Sequence, residues 1–132
     1  MMHRTAEFLR SCQTFYIATV EKDQPRVRPF GALDEFEGKL YLITSNKKPV
    51  FAQLKANPKV EICAMNSEMK WIRIAATAVP DPRREAKAHM LETNPGLSRM
   101  YSVDDGIMEV VYLRDASVTL SSFTAPPESW TF

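Results

Sequence analysis

The chain has 132 residues, 45% hydrophobic and 25% charged, with a formal net charge of +1. That length fits one domain over residues 1–132, and folding would bury about two thirds of the surface that the unfolded chain exposes. There are only four glycines, Gly31, Gly38, Gly96 and Gly106, no two closer than seven positions, which excludes the dinucleotide GxGxxG, the glycine-rich phosphate loop and the GxSxG elbow.

Other classes fall on similar grounds. The longest apolar stretches are four or five residues, so no segment is expected to span a membrane. Met1–Leu9 has no apolar core of the secretory kind, and the expected location is the cytoplasm. Cys12 and Cys63 are then expected as free, buried thiols. His3 and His89 lack ligand-spaced partners, so no metal site is expected. Residues 1–60 hold ten Lys/Arg against six Asp/Glu, and residues 61–132 hold seven against ten. Neither half is basic enough for nucleic acid, but the first has room for a local anion site.

In chain order, residues 4–13 read as an amphipathic helix with Phe8, Leu9 and Cys12 on one face. Residues 15–20 (FYIATV) are rich in aromatic and β-branched types, as a strand should be. Residues 22–25 form a polar turn, 26–33 the returning strand, 35–38 a second turn and 39–44 a third strand. At 49–56 the apolar spacing becomes helical, and Asn57-Pro58 stops it. Strands at 60–65 and 71–79 follow, then a helix over 82–92 with Asp81 as its N-cap. Residues 108–113 and 116–120 are the last clear strands, with a short one possible in the tail through Trp130. About six strands with short flanking helices predict a mostly β (α+β) fold, an antiparallel barrel rather than a doubly wound sheet.

Two places carry chemistry. Thr44-Ser45-Asn46-Lys47-Lys48-Pro49 sets two lysines at a helix start, where the macrodipole is positive and their charge is unfavourable. A bound anion would reverse that sign; a solvated loop with surface lysines is the plainer alternative. In Arg26-Val27-Arg28-Pro29 the two arginines project to one face about 7 Å apart. They either face solvent on an edge strand or bracket an acidic ligand, and Pro29 places the strand at an edge, at a bulge, or opened locally beside a ligand. An arginine-bearing strand beside a Thr/Ser/Lys helix start suits a flat aromatic ligand with a phosphate tail.

The runs Tyr16–Val20, Gln24–Phe30, Leu42–Val50 and Asn57–Ile62 resemble the pyridoxamine 5'-phosphate oxidase-like, flavin-binding split-barrel family. The likeness is to its short nitroimidazole-resistance and general-stress members. It continues through Trp71–Ile74, Tyr101–Gly106 and Glu109–Leu113. The resemblance implies a six-stranded antiparallel split β-barrel, a homodimer, and FMN in clefts at the subunit interface. Carried over by position, Arg28, Pro29 and Phe30 would lie along the isoalloxazine. Thr44, Ser45, Asn46 and Lys48 would hold the phosphate, with Lys47, Gln53 and Arg73 as further contacts. Trp71 would approach from the second subunit, or simply pack. Two stretches depart from the family pattern, Ala75–Ala78 and Thr124–Pro127, the second bearing on the substrate side. The segments with which pyridoxamine phosphate oxidases bind substrate are not expected here, so that activity is not assigned. The implied function is a flavin-dependent oxidoreductase acting on a small molecule. A non-catalytic FMN carrier or stress sensor, or a split barrel using deazaflavin or heme, stands as the alternative. No catalytic residue is named.

Overall fold

The computed structural model describes residues 1–132. Helix α1 (Met2–Cys12) is followed by strands β1 (Phe15–Glu21), β2 (Gln24–Phe30), β3 (Leu33–Phe36) and β4 (Lys39–Ser45). Helix α2 (Pro49–Ala56) leads to β5 (Lys59–Met65) and β6 (Trp71–Asp81). Helix α3 (Arg84–Thr93), a 3-10 turn (Pro95–Arg99), β7 (Met108–Ser121) and β8 (Glu128–Thr131) complete the chain.

All pairings are antiparallel, in the order β2-β1-β5-β6-β7-β4-β3, with β8 added to β7. The two edge strands, β2 and β3, are consecutive in sequence and separated only by Gly31 and Ala32. A two-residue link spans at most about 10 Å, so the sheet must curl until its edges meet there without pairing. The result is a split barrel whose seam runs beside Phe30–Leu33.

The fold class agrees with the sequence reading, but the strand count is eight, not six. Leu33–Phe36 is a strand of its own, because the Gly31-Ala32 link ends the ladder that was expected to run through to Leu33. The expected strands at 108–113 and 116–120 are one strand, β7, bent where Asp115 takes a φ of 54° opposite a register shift between Ala75 and Thr77. That is a bulge, and Asp tolerates the left-handed conformation better than most residues. The tail strand pairs with β7 through Trp130↔Val118, and Trp130 Nε1 donates to Thr5 Oγ1 at 2.9 Å, tying β8 to α1.

Alternation along the strands builds the core. Phe15 and Ile17 of β1, Ile62 of β5 and Ile72 and Ile74 of β6 are fully buried inside, with Ala6 and Leu9 of α1 and Val50 and Leu54 of α2. A second cluster, Tyr41, Ala86, Met90, Met108 and Val110, lies under α3.

Two local expectations change. Asp81 ends β6 and does not cap a helix at 82: α3 starts at Arg84 with Arg83 as N-cap and no side-chain cap bond. The Asp81 carboxylate instead accepts the Arg83 backbone N–H at 3.0 Å, an Asx turn that delays the helix. Both cysteines are free, yet Cys63 is exposed, because it falls on the outward phase of the β5 alternation; Cys12 is half-buried.

Candidate functional site

A cleft of about 420 Å³ opens at the seam of the barrel. It is lined by Arg28, Pro29 and Phe30 of β2, Thr44 of β4 and Lys48 at the start of α2. Strand alternation explains the first group. Arg28 and Phe30 pair with Ile17 and Phe15, whose side chains are inside, so both turn toward the interior at the unpaired edge. Phe30 packs on Phe15 with ring centroids 6.1 Å apart. Pro29 needs no ladder partner on its far side, because β2 is an edge strand, one of the arrangements its sequence left open.

The basic groups here have no acidic partners. The lining contains two cations, Arg28 and Lys48, and no carboxylate. Arg28 gives its N–H groups to neutral acceptors only: Ile17 O at 3.2 Å, Thr19 Oγ1 at 2.8 Å and Gln53 Oε1 at 2.6 Å. Burial and the neighbouring Arg26 charge pull the Arg28 guanidinium below its ordinary pKa. Arg26, on the same face, turns away to Glu21 at 3.0 Å. Thr44 is 4% exposed, lines the cleft, and its hydroxyl takes no hydrogen bond within the chain, although no fully enclosed side-chain polar atom is left unpaired. Its hydroxyl is therefore open to a partner from outside the chain. Lys48 is the N-cap of α2, which has Pro49 in its first turn, no side-chain cap and no acidic residue there. The Lys48 N–H bonds Ser45 O at 3.1 Å and the Phe51 N–H bonds Lys48 O at 3.3 Å, so the Val50 N–H, a positive dipole end and an ammonium group are what converge at that point.

The remaining sequence candidates lie elsewhere. Ser45 is buried and its Oγ accepts the Lys47 N–H at 3.0 Å, shaping the loop from within. Asn46 faces the turn before β7, donating to Gly106 O at 2.8 Å and Glu109 Oε1 at 3.2 Å. Lys47 is exposed beside Lys48. Gln53 is buried behind Arg28, not on the cleft wall. Trp71 and Arg73 are outside the cleft: Trp71 packs on Phe123 at 5.0 Å, and Arg73 faces Glu61 at 3.9 Å.

Among the cleft residues not singled out as contacts from sequence are Leu97, Met100 and Tyr101, in and after the 3-10 turn. Their apolar spacing of three and one is a helical-face signal, hidden by the Asn94-Pro95-Gly96 stop just before it. Burial, and then Asp105, push the Tyr101 phenol up. Volume does not single out this cleft, since one of about 470 Å³ lies between the β1–β2 turn and α2. Its chemistry does: that second cleft carries one acidic and one basic residue, Glu21 and Lys22, where the seam cleft carries two cations and no acid. His3, Glu7 and Glu35 also lie close together, but Arg10 bonds both carboxylates, at 3.0 and 2.8 Å, where a cation would sit.

An unclosed antiparallel barrel with a basic cleft at its seam defines the class as a split-barrel protein. The sequence profile described as "Pyridoxamine 5'-phosphate oxidase" matches residues 1–120, and the chain belongs to that family. A NimC/NimA family protein from Clostridium acetobutylicum is 50% identical, with a TM-score of 0.98 over 99% of this chain and 92% of that one. The General Stress Protein 26 from Bacillus anthracis shares the fold at 15% identity, with a TM-score of 0.78 over 99% and 98% of the two chains. A heme binding protein from Mycobacterium smegmatis does so at 17% identity and a TM-score of 0.73, the match covering 96% of this chain and 57% of that one. No curated protein matches the chain. No helix is long and apolar enough to cross a membrane.

Proposed function

We propose that the protein binds FMN in the seam cleft and acts as a flavin-dependent oxidoreductase on a small molecule, as a homodimer. The observation that carries this reading is the unpartnered hydroxyl of Thr44, a residue on the wall of a cleft whose only charges are the cations Arg28 and Lys48. Such a set fits a ligand with an anionic tail and a flat apolar body. Lys48, Thr44 and the start of α2 would hold the phosphate, while Phe30 and Pro29 offer apolar surface to the ring, with Arg28 beside it. Ser45 and Asn46 would act indirectly, by shaping the loop that carries Lys48. Bound FMN would supply the electron-accepting chemistry, so the protein needs to contribute only orientation, charge and a shaped, partly dry cleft.

The dimer has its own support. Tyr16, Val27 and Met65 are exposed on the outward faces of β1, β2 and β5, with Val27 at 67%. Trp71 and Phe123, the latter 74% exposed, lie at one end of the same sheet. Such a face is apolar enough to seat a second copy, which would bring Trp71 and Arg73 of the partner within reach of a cleft.

The heme reading is weaker here. Neither histidine lines the cleft, since His3 bonds Glu35 and His89 bonds Asp34, each at a distance from it. On the cleft wall only Met100 and Tyr101 are of the residue types that would hold heme iron.

The test is the absorption spectrum of the purified protein, followed by FMN titration. Flavin bands are expected, without a Soret band. FMN at about 100 times its dissociation constant should add about 2.7 kcal/mol of stability. No stabilisation by FMN would remove the proposal. A yellow protein that oxidises no nicotinamide cofactor and reduces no quinone or nitro compound is a carrier, not an oxidoreductase. Val27→Glu should shift sedimentation toward the monomer and weaken FMN binding together; a monomer that binds FMN as tightly refutes the interface.

A further inference from the structure

Of the nine arginines, Arg4, Arg10, Arg26, Arg73, Arg83, Arg84 and Arg114 each face a carboxylate. Arg99 is exposed to solvent. Arg28 alone is drawn toward the interior with no acid beside it. Its surroundings are specific. Arg28 donates to Thr19 Oγ1 at 2.8 Å and to Gln53 Oε1 at 2.6 Å, and the Thr19 hydroxyl donates to the same Gln53 oxygen at 2.6 Å. Thr19 is 1% and Gln53 6% exposed. A guanidinium has only donors, so the Gln53 atom that meets it must be the amide oxygen. The three side chains close a rigid triangle between β1, β2 and α2.

What the triangle lacks is as informative as its geometry. Glu and Gln have nearly equal helix propensity, and a Glu at position 53 would complete an ion pair with the same shape. The amide oxygen gives the same acceptor without the charge. A cation held by neutral acceptors keeps its field, and Arg28 also lines the cleft. Here we infer that Thr19 and Gln53 are positioning residues that aim the Arg28 guanidinium at the cleft and leave its charge free for an anionic group of the bound ligand. The inference rests on the cofactor reading above and deepens it. In FMN that group is either the phosphate or the ring, which becomes anionic when reduced.

The experiment titrates wild type, Gln53→Glu and Gln53→Met with FMN and with riboflavin, with bound-flavin reduction potentials measured alongside. Gln53→Glu keeps the brace and neutralises Arg28, so FMN affinity should fall about tenfold while the ligand-free Tm does not drop. Gln53→Met loses the brace but leaves the charge, and should cost less. A purely structural role predicts the opposite order, and that order, or equal affinities together with equal reduction potentials in all three proteins, overturns the inference. If the phosphate is the anion, riboflavin binding is unaffected by Gln53→Glu. If the reduced ring is, both flavins lose about tenfold in reduced over oxidised affinity, a potential lower by about 30 mV.

Should Gln53→Glu fail to fold, Arg28→Gln on the edge strand replaces it. A loss no larger than that of Gln53→Met then overturns the inference. Inorganic pyrophosphate separates this claim from the cofactor reading. If wild type binds no flavin, but pyrophosphate raises its Tm and not that of the charge-neutralised variant, the inference stands and the cofactor reading fails. If pyrophosphate raises neither, or raises both alike, the inference falls with it.

Discussion

The seam cleft and the cluster under α3 are both partly buried and polar, yet they treat charge in opposite ways. Under α3 the buried carboxylates, Asp34 and Asp81, are both answered. The Tyr41 hydroxyl donates to Asp81 Oδ2 at 2.7 Å, Arg83 bonds Asp81 at 3.0 Å and Glu37 at 2.7 Å, and His89 meets the buried Asp34 at 2.5 Å. In the cleft, Lys48 and the Thr44 hydroxyl have no partner in the chain and Arg28 has only neutral ones. The chain is therefore able to compensate a buried charge where its role is structural. That it does not do so at the seam marks the seam as a place completed by something else.

Breaking the compensated side should give the largest change. Asp81→Ala leaves the Tyr41 hydroxyl buried without its acceptor and Arg83 without its buried partner. It should cost about 3 kcal/mol in urea denaturation, with the FMN affinity of the folded fraction unchanged. Breaking the open side should do the reverse. Lys48→Ala should weaken FMN binding more than tenfold, because a charge-assisted bond to an anion contributes about 1.5–3 kcal/mol. The ligand-free protein should melt no lower, and even slightly higher, since the cation opposing the α2 dipole has gone.

Acid sharpens the same contrast. Burial alone would raise the Asp81 carboxyl, but hydrogen bonds from Arg83 and Tyr41 outweigh it and hold the group at about 2, below its ordinary 3.8. A depressed folded-state value means the stabilisation is complete above about pH 4 and is lost as pH falls toward 2. At full strength it is about 2 kcal/mol. The stability gap between wild type and Asp81→Asn should therefore narrow between pH 4 and 2. A gap that stays constant through that window contradicts the assigned role of the carboxylate.

Local pattern made the strands, the α2 start and the edge position of Arg28-Pro29 legible, because each rests on neighbours in sequence. The brace behind Arg28 was not legible, since Gln53 reaches it from 25 positions away, across the packing of α2 on β1. Position alone made Gln53 look like a ligand contact. The Leu97–Tyr101 wall was hidden for a similar reason. It is placed by α3, which is anchored where Asn94 Nδ2 donates to Leu33 O at 3.0 Å. Asp81 misled because Asp-Pro before a helical run looks like a cap, while its real partners, Tyr41 and Arg83, are set by the sheet and by the Asx turn.

The smallest effects make the sharpest test, because they compare one hydroxyl with another. Tyr41→Phe removes a hydroxyl that already has an acceptor, so it should cost about 1 kcal/mol of stability and leave flavin affinity alone. Thr44→Val removes a hydroxyl with no acceptor in the chain and nearly preserves its shape. It should cost no stability in the ligand-free protein, because no bond there is lost. With FMN it should cost about 0.5–1.5 kcal/mol, a two- to twelvefold rise in Kd read by fluorescence titration. If Thr44→Val instead destabilises the ligand-free fold while binding is unchanged, its hydroxyl is serving the barrel and not a ligand, and the cleft loses the feature that set it apart from the cluster under α3.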